Sequence, residues 1–387
     1  MQTAHSVHFK SSLDMAGVQP ASVDLVVTSP PYPMIAMWDE VFSSLSERVR
    51  KALQDDDGAA AFEAMHSELD TVWAECGRVL RPGGFLCINI GDATRTIAGD
   101  FRLYSNHARI TTACLALGFQ ALPLVLWRKQ TNAPNKFMGS GMLPAGAYVT
   151  LEHEYILVLR KGGKRSFSPA DAERRRRSAF FWEERNRWFS DLWDFKGVRQ
   201  PLSNPKRAVE NQPELWDAGP ETPAAPETPV KTGTELRKRS GAFPFELASR
   251  LICMYSLQGD TVLDPFLGTG TTTAAAVLHA RNSVGYELSA ELESVIRETV
   301  GVAASQSGDM VRERLSAHER FVEEIEAKRG KPLGYTNAYH KVRVMTRQET
   351  ELSLPEVKGL HQVAADDAAL RFVAAHVEVE PGSEAPA

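Results

Sequence analysis

Apolar residues recur along this chain in two alternating rhythms. Short apolar runs at 5–9 and 23–27 read as strands, the second being Val23-Asp24-Leu25-Val26-Val27. Residues 60–80 place Phe62, Met65, Leu69, Val72, Trp73, Cys76, Val79 and Leu80 at helical spacing. Arg81-Pro82-Gly83-Gly84 then predicts a helix stop leading into a buried strand from Phe85 to Ile90. The same reading gives a helix over 105–117 and strands over 122–128 and 153–160. The pattern resumes with a helix over 244–257, a strand at Val262-Leu263, a helix over 271–280 and a strand from Ser283 to Tyr286. Helices and strands alternating at this spacing predict an α/β fold, a doubly wound and mostly parallel Rossmann-like sheet.

The rhythm breaks in three places. Strand 23–27 runs into Thr28-Ser29-Pro30-Pro31-Tyr32-Pro33, where three prolines in four positions end ladder pairing and send the chain out as a loop. Between 160 and 210, fourteen lysines and arginines stand against seven acids, interleaved with Phe180, Phe181, Trp182, Trp188, Phe189, Trp193 and Phe195. Residues 211–230 are rich in Pro, Glu, Ala and Thr and read as a linker. Past residue 300 the chain reads as helical to Arg329 and then mixed, with the last seven residues disordered. The expected organisation is therefore two halves of one core, 1–160 and 241–300, an insert over 161–240, and a C-terminal helical or mixed extension over 301–387.

A chain of 387 residues can bury a large core, as two domains or as one with insertions. Its 43% hydrophobic and 24% charged content is that of an ordinary globular protein. With a net charge of −5 the molecule is no polycation, so any nucleic-acid surface must be a local patch. Cys76, Cys87, Cys114 and Cys253 lack Cys-x-x-Cys spacing and read as reduced, buried thiols. No cluster has metal-ligand spacing, so no metal is expected. The start, MQTAHSVHFK, lacks a signal-peptide pattern, and no apolar run reaches the ~18 residues of a membrane span. These features predict a soluble, cytoplasmic protein.

Two motifs carry candidate chemistry. Asp264-Pro265-Phe266-Leu267-Gly268-Thr269-Gly270-Thr271-Thr272 ends one strand and opens a helix, where glycines let a ligand approach the backbone and the helix start offers free N–H groups. A phosphate loop would need Gly-Lys-Ser/Thr, and a dinucleotide site would need glycine where Thr273 stands. A structural turn and a nucleoside site remain. Glu287 favours the nucleoside site, because a carboxylate ending the next strand can accept from both ribose hydroxyls.

The second motif is Thr28-Ser29-Pro30-Pro31-Tyr32. An exocyclic amino nitrogen has its lone pair conjugated into the base ring and is a poor nucleophile. A Ser29 oxygen and the Pro30 carbonyl can accept its two hydrogens, and the prolines stiffen the loop. Tyr32 offers a face on which a flipped base can stack. The bland alternative is a proline-rich turn capping a strand.

Together the two motifs resemble the amino-methyltransferases of DNA, the family of N4-cytosine and N6-adenine enzymes. The order, proline-tyrosine loop before glycine loop, resembles the beta group. Arg78-Val79-Leu80-Arg81-Pro82-Gly83-Gly84, Leu126-Trp127-Arg128-Lys129, His153-Glu154-Tyr155-Ile156-Leu157 and Phe243-Pro244-Phe245-Glu246-Leu247 also look like family landmarks in family order. The resemblance covers residues 5–160 and 235–300. It implies a methyltransferase sheet, S-adenosyl-L-methionine as cofactor, and Ser29, Pro30, Pro31 and Tyr32 as the catalytic loop. It further implies that Asp264, Phe266, Gly268, Gly270, Thr271, Thr272, Glu287, Phe243 and Pro244 bind the cofactor. Ser11 is expected near its adenine, although Lys10-Ser11-Ser12 departs from the family's Gly-Asp-Ser. Serine at position 29 is the usual residue of N4-cytosine members, whereas N6-adenine members usually carry Asp or Asn there. The chain has no Pro-Cys dipeptide, which argues against methylation of ring carbons by a cysteine nucleophile.

Residues 161–240 occupy the place of the family's target-recognition region, and Arg174-Arg175-Arg176-Arg177 is expected to neutralise phosphates of double-stranded DNA. The aromatics of this insert are expected to form a small local core. Asn132-Ala133-Pro134-Asn135-Lys136 reads as a loop closing over the flipped base, Asp92 as lining its pocket, and His153 and Glu154 as structural. The expected activity is N4-cytosine methylation, solitary or paired with a restriction endonuclease, by a monomer or homodimer. N6-adenine methylation is the nearest alternative. Methylation of RNA or protein, or a non-catalytic DNA-binding relic, are more distant ones.

Overall fold

Side chains alternate along the strands, and this divides the apolar residues between two faces of one sheet. Leu25, Val27, Cys87, Ile156 and Val158 point into one core, and Val26, Leu86, Ile88, Leu157 and Leu159 into the other. The computed structural model describes residues 1–129, 138–197, 243–364 and 369–377. The expectations for the 132–136 loop, for the 211–230 linker and for the last seven residues fall outside these.

The central sheet comprises β1 (Gln2–His8), β2 (Val23–Thr28), β3 (Leu80–Ile90), β4 (Phe119–Ala121), β5 (Val125–Arg128), β6 (His153–Lys161), β7 (Leu192–Asp194), β8 (Thr261–Asp264), β9 (Asn282–Tyr286), β10 (Glu356–Val363) and β11 (Ala369–Val377). Their order across the sheet is β7-β5-β6-β3-β2-β8-β9-β1-β11-β10, with β4 also paired to β6. The neighbours from β3 through β1 are parallel, and β6 and β11 flank them antiparallel. This is the expected doubly wound, mostly parallel α/β fold. Helix Gly58–Val79 packs on one face, and helices Phe245–Tyr255 and Thr271–Leu278 on the other. From β2 the chain goes to β3, and from β8 to β9, in opposite directions across the sheet. The gap between the C-terminal ends of β2 and β8 is thus the topological switch point, where such sheets open a crevice.

Several expected boundaries are corrected. Arg81-Pro82-Gly83-Gly84 does not separate helix from strand: β3 begins at Leu80, pairs with Val23, and takes up the prolyl-glycyl stretch as a register shift against β2. Gly84 passes so close that a Cβ there would lie 2.9 Å from the Asp24 carbonyl. The strand expected over 122–128 is shorter, β5 from Val125, and Pro123 separates it from a further strand, β4, that the sequence reading did not expect. The helix expected from 300 is two helices, Glu293–Ser305 and Ser307–Arg329.

The segments expected to be an insert and an extension both enter the sheet, as β7 at one edge and the β10–β11 hairpin at the other. They also pack on each other. Glu184 of the short helix Trp182–Trp188 forms a buried two-pronged ion pair with Arg314 of Ser307–Arg329 (2.5 and 2.7 Å). Phe181 stacks on His318 with ring centroids 3.8 Å apart. Phe181, Trp188 and Trp193 are fully buried, but in three clusters rather than one small core: Phe181 with Val344, Leu352 and Leu354 of the extension, Trp188 with Cys253, and Trp193 in the main core. All four cysteines are buried and free. No helix among the described residues is long and apolar enough to cross a membrane.

Candidate active site

The loop after β2 and the turn after β8 meet at the switch point because β2 and β8 are neighbours. Their junction is Asp264, the last residue of β8 and 1% exposed. Its Oδ1 accepts from Thr28 Oγ1 at 2.6 Å and from the Phe266 N–H at 3.0 Å, and its Oδ2 from Thr272 Oγ1 at 2.6 Å. Burial pushes this carboxyl up to about 6, against the pull of the Thr272 and Thr28 hydroxyls and the Phe266 N–H. The Asp264 side chain thereby clamps the proline loop to the glycine turn. Thr272, 1% exposed, belongs to the same clamp.

The glycine turn is built for close approach. Gly270, at φ 92°, is the N-cap of helix Thr271–Leu278, and a Cβ there would lie 3.2 Å from Ile296 Cγ2. Gly268 has φ 56°, and a Cβ on it would meet nothing within 4 Å, so open space lies before it. Glu287, just past β9, borders this space and accepts from the Gly268 N–H at 2.8 Å and the Ser289 N–H at 2.9 Å. Burial raises its carboxyl above the ordinary range. Each carboxylate oxygen accepts one of these backbone bonds and keeps a further lone pair, which suits two ribose hydroxyls. Phe266 is half-buried beside the turn, edge-on to Trp73. An adenosine moiety fits this donor and acceptor set. Phe243 and Pro244 are buried at the start of helix Phe245–Tyr255, with Phe243 part of the main core. Thr271 is also buried, and Ser11 accepts from the Leu13 N–H within its own turn at 3.3 Å.

On the other side of the clamp, Ser29, Pro31 and Tyr32 are half-buried and Pro30 is buried. Asn106, fully buried, donates to the carbonyls of Pro33 (3.1 Å) and Gly91 (2.9 Å) and so pins the far end of the loop to the end of β3. Tyr32 OH donates to Glu154 Oε2 at 2.9 Å and accepts from Asn89 Nδ2 at 2.9 Å. Asn89 Nδ2 also reaches Glu154 Oε2 at 2.7 Å, and Lys129 Nζ pairs with Glu154 Oε1. Asn89 and Lys129 drew no notice as site candidates, and Glu154, expected to be structural, stands beside the proline loop with them. Only the alternation of β3 and β6 into this face and the antiparallel β3–β6 register bring them together. Asp92 turns away from the tyrosine to hold His107 Nδ1 at 2.9 Å, and His107 stacks on Tyr155.

The arginine run is elsewhere. Arg165 grips Asp260 with two bonds (2.6 and 3.1 Å), and Arg174 reaches the same carboxylate (2.5 Å) and the Gln258 carbonyl (3.0 Å). Asp260 precedes β8, so this cluster lies at the N-terminal ends of the parallel strands, opposite the crevice. Arg176 pairs with Glu351 at 2.9 Å, and Arg175 lies over Phe167 at 4.6 Å. Arg174 thus ties the insert to the core and Arg176 ties it to the C-terminal extension, while Arg175 and Arg176 remain exposed.

Comparison with known proteins adds the chemistry. The DNA methylase model of the N6 and N4 type matches residues 23–298. The Type II methyltransferase M.MthZI of Methanothermobacter thermautotrophicus is 46% identical over 92% of this chain and 91% of its own length. M.MjaI of Methanocaldococcus jannaschii, also a Type II methyltransferase, is 43% identical over 79% of this chain and 94% of its own. A candidate DNA modification methylase of Thermus thermophilus, crystallised with S-adenosyl-L-methionine, superposes with a TM-score of 0.54 at 30% identity, covering 77% of this chain and 94% of that one. A proline-tyrosine loop and an adenosine-fitting turn, clamped together at the switch point of a doubly wound sheet, thus have matching relatives along nearly the whole chain, which belongs to the DNA methylase family of N6 and N4 amino-methyltransferases that use S-adenosylmethionine.

Proposed function

We propose that this chain methylates N4 of a cytosine flipped out of double-stranded DNA, with Ser29 as the residue that holds the target amine. The observation that carries this reading is a serine, half-buried at the mouth of the crevice, where an acidic or amide side chain would suit adenine. Ser29 Oγ and the Pro30 carbonyl accept the two amino hydrogens and turn the nitrogen lone pair out of conjugation. Pro30 and Pro31 add no N–H that would compete, and Tyr32 stacks on the base. Glu287 accepts from the ribose hydroxyls, and the open space before Gly268 admits the nucleoside. Bound S-adenosylmethionine supplies a methyl group on a sulfonium sulfur, which keeps the bonding pair as the methyl passes to the nitrogen. The methylated nitrogen then loses one proton to solvent water. Positioning and electrostatics supply most of the rate in such a scheme.

The Type II relatives support pairing of this activity with a restriction endonuclease of the same recognition site. Duplex DNA incubated with the protein and methyl-labelled cofactor, digested to nucleosides and separated, is expected to carry label in N4-methylcytosine. Label found only in N6-methyladenine would make this the adenine enzyme of the same fold.

A further inference from the structure

Tyr32 uses the whole hydrogen-bonding capacity of its hydroxyl. The phenolic oxygen stands 2.9 Å from Glu154 Oε2, 2.9 Å from Asn89 Nδ2 and 3.2 Å from Ser29 Oγ. A carboxylate only accepts and an amide N–H only donates, so the phenolic proton points at Glu154 and one lone pair faces Asn89. One lone pair is left, and it faces Ser29. The single proton of Ser29 is therefore committed to Tyr32, and the remaining capacity of Oγ is lone pairs alone. A freely rotating serine would present its proton to an incoming amine as readily as a lone pair.

The far end of this chain is firmly held. Glu154 is 9% exposed and Asn89 2%. Lys129 closes on the other carboxylate oxygen while lying 4.8 Å over the Trp127 ring. Gly91 leaves no slack, since a Cβ there would sit 3.1 Å from Tyr32 Cε2 and 3.3 Å from Glu154 Cγ. Burial, and then the neighbouring Glu154 charge, push the phenol well above its ordinary value, which keeps it a donor across the working pH range.

We infer that Glu154, acting through the Tyr32 hydroxyl, is a positioning residue that makes Ser29 an obligate hydrogen-bond acceptor for the target amine. The inference rests on the reading that Ser29 faces that amine. A chain ending on a carboxylate also polarises Ser29 Oγ, so that a neutral serine takes on part of the character of a carboxylate acceptor.

Single-turnover methyl transfer to duplex DNA by the full-length protein tests it, with Tyr32→Phe, Glu154→Gln, Ser29→Ala and the double variants. Tyr32→Phe keeps the stacking ring and the Glu154–Lys129–Asn89 contacts, so it remains informative if Glu154→Gln folds poorly. The two single changes should each slow transfer roughly tenfold, the loss expected for one charge-assisted hydrogen bond. The dissociation constant for S-adenosylmethionine, measured by calorimetry, should stay within about twofold in both. In the Ser29→Ala background, adding either change should cost less than about twofold, because groups acting through one residue are not additive. Wild-type rates in Tyr32→Phe, or losses that multiply in the Ser29→Ala background, overturn the inference alone. A wild-type rate in Ser29→Ala overturns the parent reading with it.

Discussion

Asp264 shows how much one buried residue can carry at the scale of a single side chain. It receives Thr28 from the proline loop and Thr272 from the glycine turn, so one carboxylate joins the two halves of the candidate site. Its carboxyl is raised from the ordinary 3.8 to about 6. Between these values the folded chain holds a proton that the unfolded chain does not. The stabilisation from that proton is complete below about pH 4 and is lost as the pH rises through about 6. Asp264→Asn removes the titration. The melting temperature of wild type minus that of the variant is therefore expected to fall as pH rises from 4 to 7. The variant, unable to accept from both threonines on the same terms, is also expected to bind S-adenosylmethionine roughly tenfold more weakly in calorimetry. A pH-independent difference in melting temperature would remove Asp264 as the titrating group.

The decisive fact about secondary-structure elements is which end of the sheet each one reaches. Helix Pro169–Arg177 carries four consecutive arginines, yet Arg174 reaches Asp260 at the N-terminal end of β8 and Arg176 reaches Glu351 of the extension. Asp260, with 1% of its side chain exposed, needs positive partners there and finds Arg165 and Arg174. Arg174 is more than a third exposed, so its own share of that pairing is modest, on the order of 1 kcal/mol. Arg174→Ala should lower the melting temperature by only about 1–2 °C. The slope of DNA affinity against salt concentration should stay unchanged, whereas a phosphate contact would reduce it by about one charge. A flatter slope measured in the variant would return this arginine to the DNA interface.

At the scale of the whole molecule, the C-terminal hairpin converts β1 from an edge strand into an interior one, covering a row of backbone groups that would otherwise invite pairing with another chain. A buried run of hydrogen bonds ties it down, from His376 to Thr3 to His5 to Ser283, each 2.9 Å. Burial pushes the His5 and His376 rings down from 6.5 to about 3 and about 4, so both are neutral in the fold. Here the unfolded chain binds the extra protons. The stabilisation is complete above pH 6.5 and is lost as pH falls below it, the opposite sign to Asp264. Amide hydrogen exchange over 369–377, corrected for intrinsic rates, should show less protection at pH 5 than at pH 7. Equal protection would mean that the histidines do not govern the hairpin.

The sequence by itself determined the sheet, the order of its halves and the two motifs. Each of these is local: a period of two or 3.6, a proline run, a glycine turn that only certain backbones can make. The same locality makes Ser29, Tyr32, Gly268, Gly270 and Glu287 visible as candidates at their own positions. What the tertiary structure decided was partnership. Glu154 and Asn89 look like ordinary strand residues until the antiparallel pairing of β3 and β6 sets both beside Tyr32. Asp264 shows its two threonine partners, 236 and 8 residues away, only once β2 and β8 are neighbours. Charge is visible in the arginine run, but the counter-charge of Arg174, at Asp260, is not. Long-range pairing depends on which strands become neighbours, and no local pattern encodes that.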